Sequence, residues 1–228
     1  MRYKAMLIDA DNTLFDFNES EKRAIAELFG KYGITDPAAE HAYHEANSRQ
    51  WKLLERGETT HDRLMVDRFR DFIAAMGMDT DPWEMCNDYI DALSRQHILI
   101  PGALEMVAEV AKHIPVAIVT NGIKQIQKAR FGRSPLMEHV KALVISHEEG
   151  YDKPDPRLLY IALEKLGGVG AESALMVGDS LTSDVQAAIN AGMDACWYNP
   201  AGKAAPEGMH IKHIITDIHD AAKAALTE

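Results

Sequence analysis

Five short apolar runs recur along the chain. Each is apolar at every position rather than at alternate positions, which is typical of strands buried on both faces of a sheet. The predicted strands are residues 5–8, 116–119, 142–145, 174–177 and 195–198. Between the last four lie helical patterns at about 124–138, 156–167 and 183–191. Because strand and helix alternate, the pattern predicts an α/β protein whose parallel sheet is covered by helices on both faces.

A long segment after the first strand departs from this alternation and shows helical patterns alone. Asn18 and Glu21 have the spacing of a capping box before an apolar stripe, and Gly33 stands where that helix is expected to end. Further helices are predicted at 37–56, between Thr60 and Gly77, and from Pro82 onwards. The chain is therefore expected to have an all-helical insertion, residues 17–97, within a core formed by 1–16 and 98–228.

Composition and charge restrict the possible partners. The 228 residues are 46% apolar and 26% charged, as in ordinary globular proteins, and the net charge of -11 disfavours sequence-independent binding to nucleic acid. No stretch has the roughly eighteen apolar residues of a membrane span, and the N-terminus lacks the apolar core of a signal peptide. We therefore expect a cytoplasmic protein without nucleic-acid or membrane partners. Monomer and homodimer both stay open.

Polar residues follow the apolar runs, at the places where the predicted strands end or in the loops just beyond them. They are Asp9, Asp11, Thr120, Asn121, Lys153, Asp179 and Asp184. Ligands of open α/β sheets bind outside the carboxyl ends of the strands. The coincidence of these residues at several strand ends therefore predicts one binding site at that edge of the sheet.

The acidic residues in this set favour a metal ion. Asp9 and Asp11 are two positions apart, so an extended backbone points both to the same side. Neighbouring carboxylates repel each other unless a cation or a shared proton stabilises them, and Asp179 adds a third acid. Mg²⁺ suits a site of few carboxylates with a substrate phosphate. Asp residues are also common in turns, but a turn role alone does not explain the other strand ends.

Three of the residues suit the binding of a phosphate group, namely Thr120, Asn121 and Lys153, and Asp184 supports the site. Thr120 is expected to hydrogen-bond to phosphate, assisted by the backbone N–H groups of Asn121 and its neighbour, and it can cap the following helix as well. Lys153 is expected to neutralise phosphate charge. Asp184 is expected to orient a metal-bound water or to hold Lys153.

The order and spacing of these residues resemble the four motifs of the haloacid dehalogenase (HAD) superfamily, whose members are mostly phosphatases. The resemblance covers the whole chain, including a helical cap of the C1 type inserted after the first motif. It implies a Rossmann-like HAD core and Mg²⁺ as cofactor. It also implies that Asp9 is the nucleophile that forms an aspartyl-phosphate and that Asp11 moves the protons.

The same resemblance implies the ligands. Mg²⁺ would be held by Asp9, the backbone carbonyl of Asp11 and Asp179, and the phosphoryl group by Thr120 and Lys153. Asn12 departs from the family pattern, in which Gly often follows the second aspartate. Since Asn tolerates left-handed backbone, we expect activity to be retained.

A narrower resemblance concerns the substrate. Segments 9–16, 119–122 and 190–200 are similar to pyrimidine 5′-nucleotidases that act on non-canonical nucleotides. This implies a small phosphorylated metabolite, a nucleoside monophosphate, with Trp51 either stacking on the base or packing within the cap. A sugar-phosphate phosphatase or phosphomutase remains an alternative, as does a catalytically idle HAD-fold binding domain. Dehalogenases generally lack the second aspartate, so Asp11 favours ester hydrolysis.

Overall fold

The computed structural model describes residues 3–227. They divide into two compact units, one formed by Asn18–Gln96 and the other by the residues up to Phe17 together with those from His97. Residues 1, 2 and 228 of the predicted core lie outside the described range. Each unit has buried apolar residues of its own.

The unit Asn18–Gln96 is helical throughout its regular structure. Its helices are α1 (Phe17–Tyr32), α2 (Ala39–Glu55), α3 (His61–Met76) and α4 (Pro82–Ser94). Helix α3 begins and ends as its sequence predicts, because Thr60 Oγ1 accepts from the N–H of Arg63 and Gly77 takes a left-handed φ of 61°. Glu21, for which the spacing predicts a capping role, is buried here. Its carboxylate accepts hydrogen bonds from Tyr43 and Tyr89 at 3.2 and 3.1 Å.

The second unit contains a parallel six-stranded sheet. Its strands are β1 (Ala5–Ile8), β2 (Val116–Thr120), β3 (Ala142–Ile145), β4 (Ala174–Gly178), β5 (Asp194–Tyr198) and β6 (His213–Ile215). They lie in the order β3-β2-β1-β4-β5-β6. Leu7 in the centre of β1 is paired with Ala117 of β2 on one side and with Met176 of β4 on the other.

Helices cover both faces of this sheet. The helices of the unit are α5 (Ala103–Ala111), α6 (Lys124–Phe131), α7 (Ser146–Glu149), α8 (Arg157–Lys165), α9 (Gln186–Ala191) and α10 (Asp220–Leu226). Because side chains alternate along a strand, Met6 and Ile8 pack with residues of α5 and α10, whereas Leu7 packs with residues of α8 and α9. The predicted α/β fold with a doubly covered parallel sheet is confirmed.

The structure differs from the predicted elements in three places. Strand β6 was not predicted, because it has three residues and Ile214 in its centre is exposed. The helix predicted at 124–138 ends at Phe131, and a separate 3-10 turn covers Pro135–Glu138. Pro135 has no N–H with which to continue the hydrogen bonding of α6. The segment before α9, Leu181–Val185, is a π-helical turn.

Within residues 3–227, no helix combines the length and the apolar character that crossing a bilayer requires.

Candidate active site

The predicted site residues of the sheet unit meet at the carboxyl edge of the sheet. β1 lies between β2 and β4, so the residues after these three strands are neighbours. The N–H of Asp9 donates to the carbonyl of Val177 at 2.9 Å, which extends the pairing of β1 with β4 by one residue. This places Asp9 beside the segment that carries Asp179.

Lys153 is the centre of the hydrogen bonding in the site. Its Nζ donates to Asp9 Oδ1 at 2.6 Å, to Asp184 Oδ1 at 2.7 Å and to the carbonyl of Val119 at 2.7 Å. These three acceptors match the three N–H bonds of an ammonium group. Lys153 is only 4% exposed, so the ammonium group is held in one place at the ends of β1, β2 and β4.

The acidic residues form a compact cluster around Lys153. Asp9, Asp179 and Asp184 each place a carboxylate oxygen within 4.8 Å of the others. Burial, and next the charge of Asp184, raise the pKa of Asp9 well above its ordinary value and the pKa of Asp179 to about 6. Burial alone would lower the pKa of Lys153, but the charges of Asp184 and Asp9 raise it on balance. The three carboxylates outweigh the one charge of Lys153, so the donor set fits a hard divalent cation.

Asp184 is oriented by bonds to both of its carboxylate oxygens. Oδ1 accepts from Lys153, and Oδ2 accepts from the N–H of Ser180 at 3.0 Å. The side chain packs against Gly178, where a Cβ atom would lie 2.3 Å from it. A larger residue at position 178 would therefore displace Asp184, and through it Lys153.

Asn121 joins the loop after β2 to the loop that carries Lys153. Its Nδ2 donates to the Lys153 carbonyl and its Oδ1 accepts from the Lys153 N–H, both at 2.7 Å. The sequence suggests only a phosphate contact through the backbone of Asn121. The side chain thus has a structural role that sequence reasoning did not identify. Thr120 is buried, and its Oγ1 accepts from Gln127 Nε2 at 3.1 Å.

Asp11 is half-buried and is held by two side chains of α6. Arg130 Nη1 donates to Asp11 Oδ1 at 2.5 Å, and Gln127 Nε2 donates to Asp11 Oδ2 at 2.7 Å. The next residue, Asn12, takes the left-handed conformation with a φ of 61°. This explains how Asn replaces the Gly common at this position. The turn then brings Thr13 Oγ1 to 3.5 Å from Asp179 Oδ1.

Comparison with known proteins identifies the family. The model of the haloacid dehalogenase-like hydrolases matches residues 3–192. The chain belongs to this hydrolase family. The pyrimidine 5′-nucleotidase YjjG of Escherichia coli is 29% identical over 96% of each chain. The pyrimidine 5′-nucleotidase PynA of Streptococcus pneumoniae is 32% identical over 88% of this chain and 85% of its own.

A solved structure agrees with this assignment. The crystal structure of the HAD-hydrolase YfnB from Bacillus subtilis, bound to magnesium, matches with a TM-score of 0.88 at 28% identity. The match covers 99% of this chain and 100% of that chain. The chain is therefore an enzyme of the HAD hydrolases, and the named nucleotidases that it matches over most of their length are phosphatases.

Three residues around this HAD site were not predicted from the sequence. Gln127 and Arg130 hold Asp11, and Trp197 Nε1 donates to the backbone carbonyl of Asp179 at 2.8 Å. Gln127 and Arg130 are three positions apart on α6, which is the spacing of side chains on one helix face. That spacing is also common on exposed helices, so it does not by itself distinguish these residues from solvated ones.

Proposed function

We propose that this HAD-family phosphatase hydrolyses the 5′-monophosphates of pyrimidine nucleosides, with Mg²⁺ as cofactor, in the cytoplasm. The observation that carries the proposal is the buried Lys153, which joins Asp9 to Asp184 beside Asp179. A carboxylate nucleophile, an ammonium group for the phosphate and further acids for a cation are the groups that phosphoryl transfer requires. Similarity to two pyrimidine 5′-nucleotidases supports the substrate class.

Mg²⁺ would be held by carboxylate oxygens of Asp9 and Asp179 and by the backbone carbonyl of Asp11. The support is the close approach of the acidic oxygens around one ammonium group, together with the magnesium bound in the related YfnB structure. When bound, the ion would offset the charge of the phosphate oxygens and so allow a carboxylate to approach them. Lys153 and Thr120, with the backbone of Asn121, would bind the transferring phosphoryl group.

The reaction would take place in two displacements. A carboxylate oxygen of Asp9 forms a bond to phosphorus while the bond to the nucleoside oxygen breaks, and Asp11 gives its proton to that oxygen. The products of this step are the free nucleoside and an aspartyl-phosphate. Asp11, now ionised, takes a proton from a water molecule whose oxygen attacks phosphorus. Inorganic phosphate leaves, Asp9 regains its carboxylate, and Asp11 is again protonated.

We propose that the helical unit Asn18–Gln96 acts as the cap that selects the substrate. Trp51 of this unit packs edge-on against His61, with ring centroids 6.4 Å apart. This contact favours the packing role for Trp51 over base stacking. Selection by the cap would therefore depend on other residues of the unit.

The test measures phosphate release from uridine, thymidine, cytidine and adenosine monophosphates and from a sugar phosphate, with Mg²⁺ or with a chelator. We expect kcat/KM for pyrimidine nucleotides to exceed that for the others by at least about tenfold. Asp9→Asn should reduce kcat by at least about a thousandfold. Asp220→Asn, a matched change at an exposed position of α10, should stay within about twofold of the parent.

Each contrary result points to a different error. Preference for the sugar phosphate would show that the enzyme is a sugar phosphatase and not a nucleotidase. Transfer of the phosphoryl group within the sugar phosphate, without release of phosphate, would indicate a phosphomutase. Absence of any phosphatase activity with Mg²⁺ would favour the idle binding domain. Undiminished activity in Asp9→Asn would show that Asp9 is not the nucleophile.

A further inference from the structure

The carboxylate of Asp11 is fixed at both oxygens by side chains that the reaction itself does not use. Arg130 bonds to Oδ1 and Gln127 to Oδ2, and both of these residues are buried. An aspartate at the edge of a sheet would otherwise be free to change rotamer. Bonds to both oxygens from two different side chains leave it one orientation.

The two residues form a closed network. Arg130 Nη1 also donates to Gln127 Oε1 at 3.3 Å, and Gln127 Nε2 also donates to Thr120 Oγ1. The guanidinium group of Arg130 lies 4.4 Å above the ring of Phe15, which stands four residues after Asp11. The network thus links the loop after β1, the end of β2 and helix α6.

Helix α6 is placed so that Gln127 can reach this position. It begins at Lys124, close after β2, so its first turns lie beside the site. At Gly122 a Cβ atom would lie 2.5 Å from the Gln127 side chain. Any side chain at position 122 would therefore displace Gln127 from Asp11 and Thr120.

We infer that Gln127 and Arg130 are positioning residues that hold Asp11 in the orientation required for proton transfer to the leaving oxygen. The inference rests on the proposed function, because it takes Asp11 as the group that protonates that oxygen. Proton transfer depends steeply on the position of the acid, and a misplacement of about 1 Å can cost about a hundredfold in rate. A purely structural ion pair would have no such selective effect on the chemistry.

The test compares phenyl phosphate with p-nitrophenyl phosphate, two esters of similar shape. Phenolate is a poor leaving group and needs a proton, whereas p-nitrophenolate leaves more easily without one. kcat/KM reports the step in which the leaving group departs. In Gln127→Met, which leaves the charge beside Asp11 unchanged, we expect kcat/KM for phenyl phosphate to fall by about ten- to a hundredfold, with a several-fold smaller loss for p-nitrophenyl phosphate.

A double-mutant cycle shows whether these residues act through Asp11. Added to Asp11→Asn, the change Gln127→Met should alter the ratio of kcat/KM for phenyl phosphate to that for p-nitrophenyl phosphate by less than about twofold, since the group it positions is already lost. Loss of the bond to Thr120 affects both esters alike and leaves this ratio unchanged. Lys128→Met is the matched control on the same helix, because Lys128 is exposed and pairs with Glu148. Lys128→Met should leave kcat/KM for both esters unchanged.

Two results would overturn the inference: an equal loss for both esters in Gln127→Met, or a further change of the ratio between the two esters in the double variant. Gln127→Met carries the test, because it replaces a neutral side chain by one of similar size, whereas Arg130→Met would also remove the positive charge beside Asp11. Neither ester is a nucleotide, so the comparison of the two esters can be interpreted even if the enzyme does not act on nucleotides. Failure of the nucleotidase proposal appears separately, in the panel of nucleoside monophosphates.

Discussion

The ammonium group of Lys153 carries a charge in a place where water cannot stabilise it. Three acceptors surround it, and two of them are carboxylates that are themselves largely buried. Each charge in this group is tolerated because the others are present. The residue is therefore important for the stability of the unit, in addition to the phosphate binding that we propose for it.

Replacing Lys153 by Met should destabilise the protein as well as inactivate it. Asp9 and Asp184 would remain buried without their cation, and breaking a buried pair in this way typically costs about 3–5 kcal/mol. The measurement is urea-induced unfolding without Mg²⁺. Lys165→Met is the matched control, because Lys165 pairs with Glu149 while 44% exposed, and such pairs contribute less than about 1 kcal/mol. Equal stability of the two variants would contradict the buried network.

For individual residues, the sequence predicts the chemical groups of the site better than it predicts the contacts that hold them. Asp9, Asp179 and Lys153 could be selected because their residue types and their positions after strands suit phosphate and metal. The side-chain bonds of Asn121 to Lys153 join residues 32 positions apart, and no local pattern records them. Glu21 shows the opposite case, in which a local pattern predicts a cap while distant tyrosines determine where the carboxylate lies.

Among the elements, a glycine within α1 and a glycine directly after α3 have contrasting backbone conformations. Gly30 lies in the last turns of α1 on its exposed side, and Gly77 ends α3 with a φ of 61°. A Cβ atom would meet nothing within 4 Å at either position. Any effect of adding one therefore comes from the backbone and not from packing.

Gly30→Ala and Gly77→Ala should change stability in opposite directions. Alanine is favoured over glycine within a helix, so Gly30→Ala should raise the free energy of unfolding by about 0.5–1 kcal/mol. At Gly77 the left-handed conformation is strained for alanine, and a loss of about 1 kcal/mol is expected. Thermal or urea unfolding of the two variants measures both values. Changes of the same sign would show that packing or the unfolded state, and not the backbone conformation, determines the change in the free energy of unfolding.

The predictability of the elements follows from their length and burial. β1, β2 and β4 could be predicted because every residue in them is buried and nearly all are apolar, which leaves a continuous run in the sequence. β6 was missed because three residues at the sheet edge, one of them exposed, produce no such run. The end of α6 at Phe131 was missed because the apolar residues continue into the 3-10 turn, where Leu136 is buried.

For the whole molecule, the net charge of -11 raises the question of how an acidic protein binds a negatively charged phosphate group. The overall field repels phosphate, so attraction must be local. In the sheet unit, Lys153 supplies one positive charge within a cluster of carboxylates. We expect Mg²⁺ to supply the rest, which makes the stability of this unit depend on the ion.

Mg²⁺ should therefore stabilise the folded protein, and the response should require Asp179. An ion that binds only the folded state at a hundred times its Kd adds about 2.7 kcal/mol to the free energy of unfolding. In Asp179→Asn we expect this response to be lost while stability without the ion is unchanged or higher, because burial and the charge of Asp184 disfavour ionised Asp179. Calorimetric melting over a range of Mg²⁺ concentrations measures both effects. An equal Mg²⁺ response in parent and variant would place the ion elsewhere, whereas lower metal-free stability in the variant would mean that Asp179 contributes to the fold through its own contacts.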